Sequence, residues 1–360
     1  MKLLICYCLI IITANAQEDR QGALAAVMDY IEGTANGEIS RIRNAFETNA
    51  SLYTINSEND LVQRPSQKYI AGFTEGKKNN RIGQVVYLDV VHNAATAIVE
   101  IISGKRKYTD YILLLKIKDQ WKIIQKSYTY VPIDYKGKIL FVVSNFSSYG
   151  NVEKRTGTHF SELVQVYDGL LKAGYEVDFV SPQGGEIPVA YIDLSDDLQK
   201  TYFYDRKLQY KLKYSYRPSD IDSKNYKGIF YVGGSATMFD IPENADIMSL
   251  AKQIYEDQNG VIGAVCHGVG GLVNLKLKSG DYLVAGKRIN SFTNKEEESG
   301  SNWKYLPFLI ETKLKERGAL YFSSDNWQEH VETSERLVTG QNPASCRKLV
   351  SELIKQLEMN

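Results

Sequence analysis

Apolar residues recur at three- and four-residue spacing over 22–33 and over 39–46, and each run closes on polar or glycine-containing positions, which predicts two helices. From about residue 81 the period shortens. The stretches 84–91, 94–102, 108–117 and 120–128 are rich in β-branched and aromatic residues and separated by short polar turns, the pattern of an antiparallel meander. Helices followed by a meander make a small α+β domain. The junction 132–137 is too short for a flexible tether, and a different alternation begins beyond it. Residues 138–144 are an apolar run of the buried-strand type, 160–173 has helical spacing, and 175–181 is a second buried run before Pro182. Strand, helix and strand in this order form a unit with parallel strands and a right-handed crossover. The alternation returns at 228–232 with a helix near 246–257, and at 260–265 with a helix beginning near Gly268. The pattern therefore predicts an α/β domain with a doubly wound parallel sheet over 136–360, preceded by a smaller α+β domain over 17–133.

One stretch breaks the alternation. Residues 187–222 are rich in tyrosine, lysine and aspartate, and read as an insertion at the sheet's functional edge, either a solvated excursion or a lid over a pocket.

The chain's start changes the picture of where it works. Residues 1–16 carry an early positive charge at Lys2, an apolar stretch, and the small residues Ala14 and Ala16 before Gln17. This is the build of a secretory signal peptide cleaved after Ala16, so the protein is expected to be exported, to the periplasm or beyond. The apolar stretch is shorter than the roughly 20 residues that span a bilayer, and no membrane association is expected after cleavage. Lysine with arginine and aspartate with glutamate number 43 each, which removes the electrostatic reason to expect nucleic acid as a partner. Of the four cysteines, Cys6 and Cys8 leave with the signal. Cys266 and Cys346 remain, too few for a disulfide framework.

Candidate chemistry centres on Cys266 in the run GAVCHG at 263–268. In open parallel sheets ligands bind outside the carboxyl ends of the strands, and Cys266 directly follows the apolar run 261–265. A sharp strand-to-helix bend presents its side chain to the pocket, and Gly263, Ala264 and Gly268 leave room for one. A helix N-terminus beside the sulfur is expected to lower the thiol pKa. Cys346 opens an amphipathic last helix and has no such setting. His92, His159 and His330 are isolated along the chain and read as structural, and no set of histidines and carboxylates suggests a metal site.

Two resemblances extend this reading. Over about 17–131 the chain resembles the nuclear transport factor two-like fold, in its lumazine-binding-type subgroup, through YIEG at 30–33, IRNAF at 42–46, YTDYILLLKI at 108–117 and WKI at 121–123. That implies a cone-shaped pocket for small molecules and dimerisation through the sheet. Over 136–357 it resembles the ThiJ/PfpI superfamily, of flavodoxin-like, glutamine-amidotransferase-like fold, and within it the heat-shock chaperones and glyoxalase III enzymes. The matching runs are TGTHFSE at 156–162, AGYEVDFVSPQGG at 173–185, VGGSATMFDIP at 232–242, AVCHG at 264–268, GKRINSFTNKEEE at 286–298 and RLVTGQNPAS at 336–345. By this resemblance Cys266 is the nucleophile, His267 the catalytic histidine, Glu162 the carboxyl facing the sulfur, and Glu297 the further acidic partner, with Glu296 and Glu298 as alternatives in that register. Backbone N–H groups of Gly234 and His267 are the implied oxyanion donors, and Ser235 lies against the substrate. Many relatives carry a histidine and then a glycine where this chain has Ser235 and Ala236, so an imidazole is missing from that position.

The function so implied is a glyoxalase III-type conversion of a 2-oxoaldehyde such as methylglyoxal into a 2-hydroxy acid, without glutathione, cofactor or metal. The partner is a small reactive carbonyl compound, and the assembly a homodimer. The alternatives are a stress chaperone, a protein deglycase, and an amidohydrolase or peptidase on the same Cys-His-Glu site.

Overall fold

The structure is a computed structural model that describes residues 2–360, with side chains from Ala16 onward, and it divides into two units, Met1–Tyr135 and Lys136–Asn360. Cys6, Cys8 and the rest of residues 1–15, most of the segment expected to be a signal peptide, lie outside the described side chains. Among the described residues no helix is long and apolar enough to cross a membrane.

In the first unit the helix Lys2–Asn36 turns Ala23, Val27, Tyr30 and Ile31 to the core, one apolar stripe at helical spacing. The helix expected over 22–33 is thus the end of a longer one. A second helix, Ile39–Ala45, gives way at Phe46 to a strand, Phe46–Ile55, that no periodicity announced. Its polar run Glu47, Thr48, Asn49 interrupts the alternation, yet the strand is held by pairing in parallel with Gln120–Pro132. The sheet has six strands, with Arg81–Val91, Ala94–Ser103, Arg106–Ile117 and Gln120–Pro132 as a continuous antiparallel meander.

In the second unit six strands run in the order Tyr175–Val180, Gly137–Val142, Tyr226–Tyr231, Val261–Val265, Leu337–Gly340, Val331–Ser334. All pairs are parallel except the last. Every residue of Tyr175–Val180 and of Val261–Val265 is buried, because helices cover both faces. Phe160–Lys172 and Cys346–Met359 pack with Phe141, Phe179 and Phe230 on one side, and Ala245–Lys252 with Ile229, Tyr231 and Ile262 on the other. Asn244 caps the last of these helices at the Ile247 amide, 2.9 Å, and beyond Lys252 the chain widens into a π turn at Gln253–Asp257.

The insertion is neither a solvated excursion nor a lid over most of its length. It folds as Asp197–Phe203 and Arg206–Lys213, capped by Asp196 and Asp205, with Leu208 and Leu212 buried. Tyr202 donates to Asp168 at 3.0 Å and Lys211 reaches Asp178 at 3.1 Å, which docks the stretch on the sheet's flank.

Candidate active site

The central strand Val261–Val265 ends at Cys266, whose φ is +55°, a left-handed conformation rarely entered by a residue with a side chain. Such strain persists where the surroundings over-determine it, and it clusters at functional bends. The turn that follows is a 3₁₀ segment, Cys266–Leu272, rather than an α-helix starting near Gly268. It presses closely on the neighbouring strand: a Cβ on Gly268 would lie 2.4 Å from the Tyr231 carbonyl oxygen.

The Cys266 sulfur lies 3.2 Å from Nδ1 of His267. The other ring nitrogen, Nε2, hydrogen-bonds the Glu297 carboxylate. That pairing puts the ring proton on Nε2 and leaves Nδ1 as an acceptor facing the thiol. Glu297 is carried by the short helix Asn294–Glu298, started by a capping box in which Thr293 and Glu296 bond each other's backbone amides. Glu296 also accepts from the Trp327 amide at 2.8 Å and from Asn342 Nδ2 at 2.8 Å, and Glu298 is exposed. Of the three adjacent carboxylates, the structure therefore sets Glu297 on the histidine and ties Glu296 into the scaffold.

On the sulfur's other side is Glu162, from the first turn of Phe160–Lys172 and fully buried. Neither of its oxygens finds a hydrogen-bond partner of ordinary geometry, and its polar neighbours are the Cys266 thiol, the Gly233 amide and His267. Burial raises its pKa to about 7, against the lowering influence of those neighbours. Position 233 has to be glycine here: a Cβ would stand 2.0 Å from Glu162 Oε2.

The thiol corrects one expectation. Burial first, and the Glu162 carboxyl second, push the Cys266 thiol well above its ordinary pKa, while the His267 N–H pulls the other way. No α-helix starts at this point to lower it, and the sulfur is 2% exposed beside a carboxyl group.

These groups open on a cavity of about 330 Å³. Gly234 and Ser235 line one wall, and Phe292 and Trp327, in edge contact at 5.3 Å, another. Phe292 also stacks on His267 at 4.7 Å, which fixes the plane of the ring. A chain of hydroxyls crosses a third wall. Tyr149 donates to Ser235 Oγ at 3.1 Å, receives from Asn302 at 3.2 Å, and lies 3.3 Å from the Tyr191 hydroxyl, which is itself 3.3 Å from Thr156 Oγ1. Tyr191 is where the insertion reaches the cavity.

His159, read from the sequence as structural, lines this cavity too. Its Nδ1 accepts from the Glu162 amide at 3.4 Å, capping the helix that carries Glu162, and its ring stacks on Tyr191 at 4.7 Å. So the wall with Ser235 in place of a histidine still holds a second imidazole, supplied from a different element. His330 bonds Glu332 at 2.9 Å and His92 occupies a strand turn at φ +53°, and neither is among the residues that line the cavity. Cys346 is fully buried, and its thiol is also pushed well up, by burial and in smaller part by Glu162. Sequence reasoning missed Tyr149, Tyr191, Asn302 and Trp327. Tyr149 ends a two-residue strand, Tyr191 and Asn302 sit in irregular segments, and none of the four lies in a motif.

The first unit holds a buried ionic group of its own. Lys126 Nζ lies 3.0 Å from Asp110 Oδ2 and 2.8 Å from the Tyr30 hydroxyl, and Tyr30 donates to the same Asp110 oxygen at 2.6 Å. The rings of Tyr30 and Tyr128 face the ammonium at 4.9 and 4.7 Å. Among the described residues no group of three or more histidine, cysteine or acidic side chains is placed to hold a metal ion.

Comparison with known proteins fits both units. Residues 18–129 match the putative lumazine-binding family and residues 155–356 the DJ-1/PfpI family. The chain is 30% identical to the glutathione-independent glyoxalase of Saccharomyces cerevisiae, over 61% of this chain and 98% of that protein. Among solved structures, Rapid Encystment Protein 24 kDa of Francisella tularensis is 34% identical with a TM-score of 0.59, over 61% of this chain and 99% of that one. Glyoxalase III of Candida albicans is 27% identical with a TM-score of 0.57, over 63% and 99%. The second unit thus has the α/β fold of those enzymes, joined to a nuclear transport factor two-like domain, and the chain belongs to the DJ-1/PfpI family.

Proposed function

We propose that the protein is a glutathione-independent glyoxalase that converts a 2-oxoaldehyde into a 2-hydroxy acid on Cys266. One observation carries the reading: a strained, buried thiol stands between an acceptor nitrogen held by Glu297 and a carboxyl group whose pKa lies at about 7. A thiol of raised pKa does not rest as thiolate. It reacts as its proton leaves for His267 Nδ1 while sulfur adds to the aldehyde carbon, giving a hemithioacetal. The Glu162 carboxylate then takes the hydrogen on that carbon as a proton, leaving an enediolate, and returns it to the neighbouring carbon, while the hydroxyl proton passes from the first carbon's oxygen to the second's. The product is a thioester of the 2-hydroxy acid. Water cleaves it, the acid leaves, and the thiol recovers its proton. The net change is addition of one water, and no electron enters or leaves the protein. A carboxyl with a pKa near 7 is matched to taking and giving one proton at neutral pH.

The test is lactate formation from methylglyoxal by purified protein, beside Cys266→Ala. Formation by the wild type and loss in the variant support the reading; no lactate from the wild type, or equal rates, refutes it.

Two companion proposals concern setting. Export with cleavage after Ala16 is supported by the apolar, small-residue-terminated start of the chain, and N-terminal sequencing of protein from the host checks it. Homodimerisation through the outer face of the first unit's sheet is supported by Val91, Tyr111, Leu113 and Leu115, which leave an apolar surface open to solvent.

A further inference from the structure

The chemistry above supplies a nucleophile and a proton carrier, and the Gly234 and His267 amides implied as oxyanion donors answer the oxygen on the carbon that sulfur attacks, which leaves a second charge unattended. When Glu162 removes the proton, negative charge develops on the oxygen of the substrate's second carbonyl, inside a cavity whose nearest charged groups are carboxylates. Enzymes that pass through enediolates hold a hydrogen-bond donor at that oxygen, because an unsolvated anion there is costly.

We propose that the Nε2–H of His159 is this donor, and that His159 is a further catalytic residue of the reaction. The proposal rests on the glyoxalase reading and adds a group to it. Three observations converge. First, Nδ1 of His159 accepts from the Glu162 amide, so the ring's proton sits on Nε2, away from the helix. Second, the residue is fixed in place, its backbone by the bond from its amide to the Gly233 carbonyl at 2.9 Å and its ring by the stack on Tyr191, whose hydroxyl is tied to Thr156 and Tyr149. Third, it lines the same cavity as Cys266 and His267. The tautomer persists across the working range, since burial and the nearby His267 bring the His159 pKa down to about 3. A neutral imidazole is the better donor for an enediolate, being closer in acidity to the enediol and unable to quench the carboxylate that does the proton transfer. Through the 159–162 helix turn the residue does two things at once: it caps the helix that carries the base, and it faces the oxygen that the base's action makes negative.

The two roles separate by substitution. His159→Asn places an oxygen where Nδ1 is and keeps the cap but withdraws the distal donor. His159→Gln places an N–H near Nε2 and loses the cap. Steady-state kinetics with methylglyoxal and thermal unfolding are measured for both beside wild type. The expected result is that Asn lowers kcat by about 10²–10³-fold with KM and Tm near wild type, the loss typical of one donor at a developing oxyanion. Gln is expected to keep kcat within about tenfold while Tm falls, as for loss of a helix cap. If the wild type makes lactate and Asn holds kcat within about twofold, His159 is a helix cap only and this inference fails while the glyoxalase reading stands. If the wild type makes none, both fail together.

Discussion

Two buried carboxyl groups of this protein, Asp110 in the first unit and Glu162 in the second, are treated in opposite ways. In the first unit Asp110 meets an ammonium and a phenol, Lys126 and Tyr30, and the rings around the ammonium complete the arrangement. In the second, Glu162 has no cation and no conventional hydrogen bond, only a thiol, an amide and an imidazole near it. Asp110 is held in place by its ion pair and hydrogen bond, whereas burial without a cation makes the neutral form of Glu162 accessible near pH 7. The difference separates a carboxyl group tied into the fold from one left free to titrate, and it cannot be seen by counting buried acids.

The largest effect should come from the nucleophile. Cys266→Ala should lower hydroxy acid formation by at least about 10⁴-fold, since nucleophile and proton carrier act as a unit, and should leave the unfolding of the first unit unchanged. Lys126→Met should do the reverse. Removing one partner of a buried pair costs about 3–5 kcal/mol, so denaturant unfolding of the first unit should shift strongly while turnover of the folded protein holds; adding Asp110→Leu should recover most of the loss. If Lys126→Met left stability intact, the pair would not be a structural element of the first unit.

The Glu162 contribution has a defined pH window. Its folded pKa lies above the ordinary 4.5, so the native state keeps a proton that the unfolded chain has released, and stability falls as pH rises from about 4.5 to about 7 and is level beyond. The span corresponds to about 3 kcal/mol. Glu162→Gln should therefore gain on the wild type by about that amount between pH 4 and pH 8 in chemical denaturation, while its turnover collapses. Parallel stability curves for the two proteins would mean that the carboxyl is solvated or paired in solution. The smallest energetic effect is at the outer sheet face: Leu113→Asp should convert a dimer to a monomer in sedimentation while changing monomer stability by no more than about 0.5 kcal/mol.

Much of this was legible in the chain because it depends on local order. The period of apolar residues announced the meander and the parallel strands, and the small residues around Cys266 announced a bend. The strand Phe46–Ile55 was not legible, since its polar run has no period and its place comes from parallel pairing with a strand more than seventy residues on. The same holds for the cavity wall. Tyr149, Tyr191 and Asn302 meet from three separate segments, so no spacing in the sequence connects them. His159 looked isolated because its partners, Tyr191 and Gly233, are distant in the chain.

By itself the sequence determined which elements form, that the second unit's strands are buried on both faces, and that a cysteine stands where a parallel sheet opens to its ligand. Tertiary structure decided the chemistry of that cysteine. Proximity to a helix start argued for an acidic thiol, but the folded chain puts the sulfur out of water and against Glu162, and desolvation with a neighbouring carboxyl outweighs what the turn's amides contribute. Which glutamate holds His267, and whether a buried acid is paired or left free to titrate, are likewise matters of distance between remote segments, on which electrostatic energies depend and sequence spacing does not.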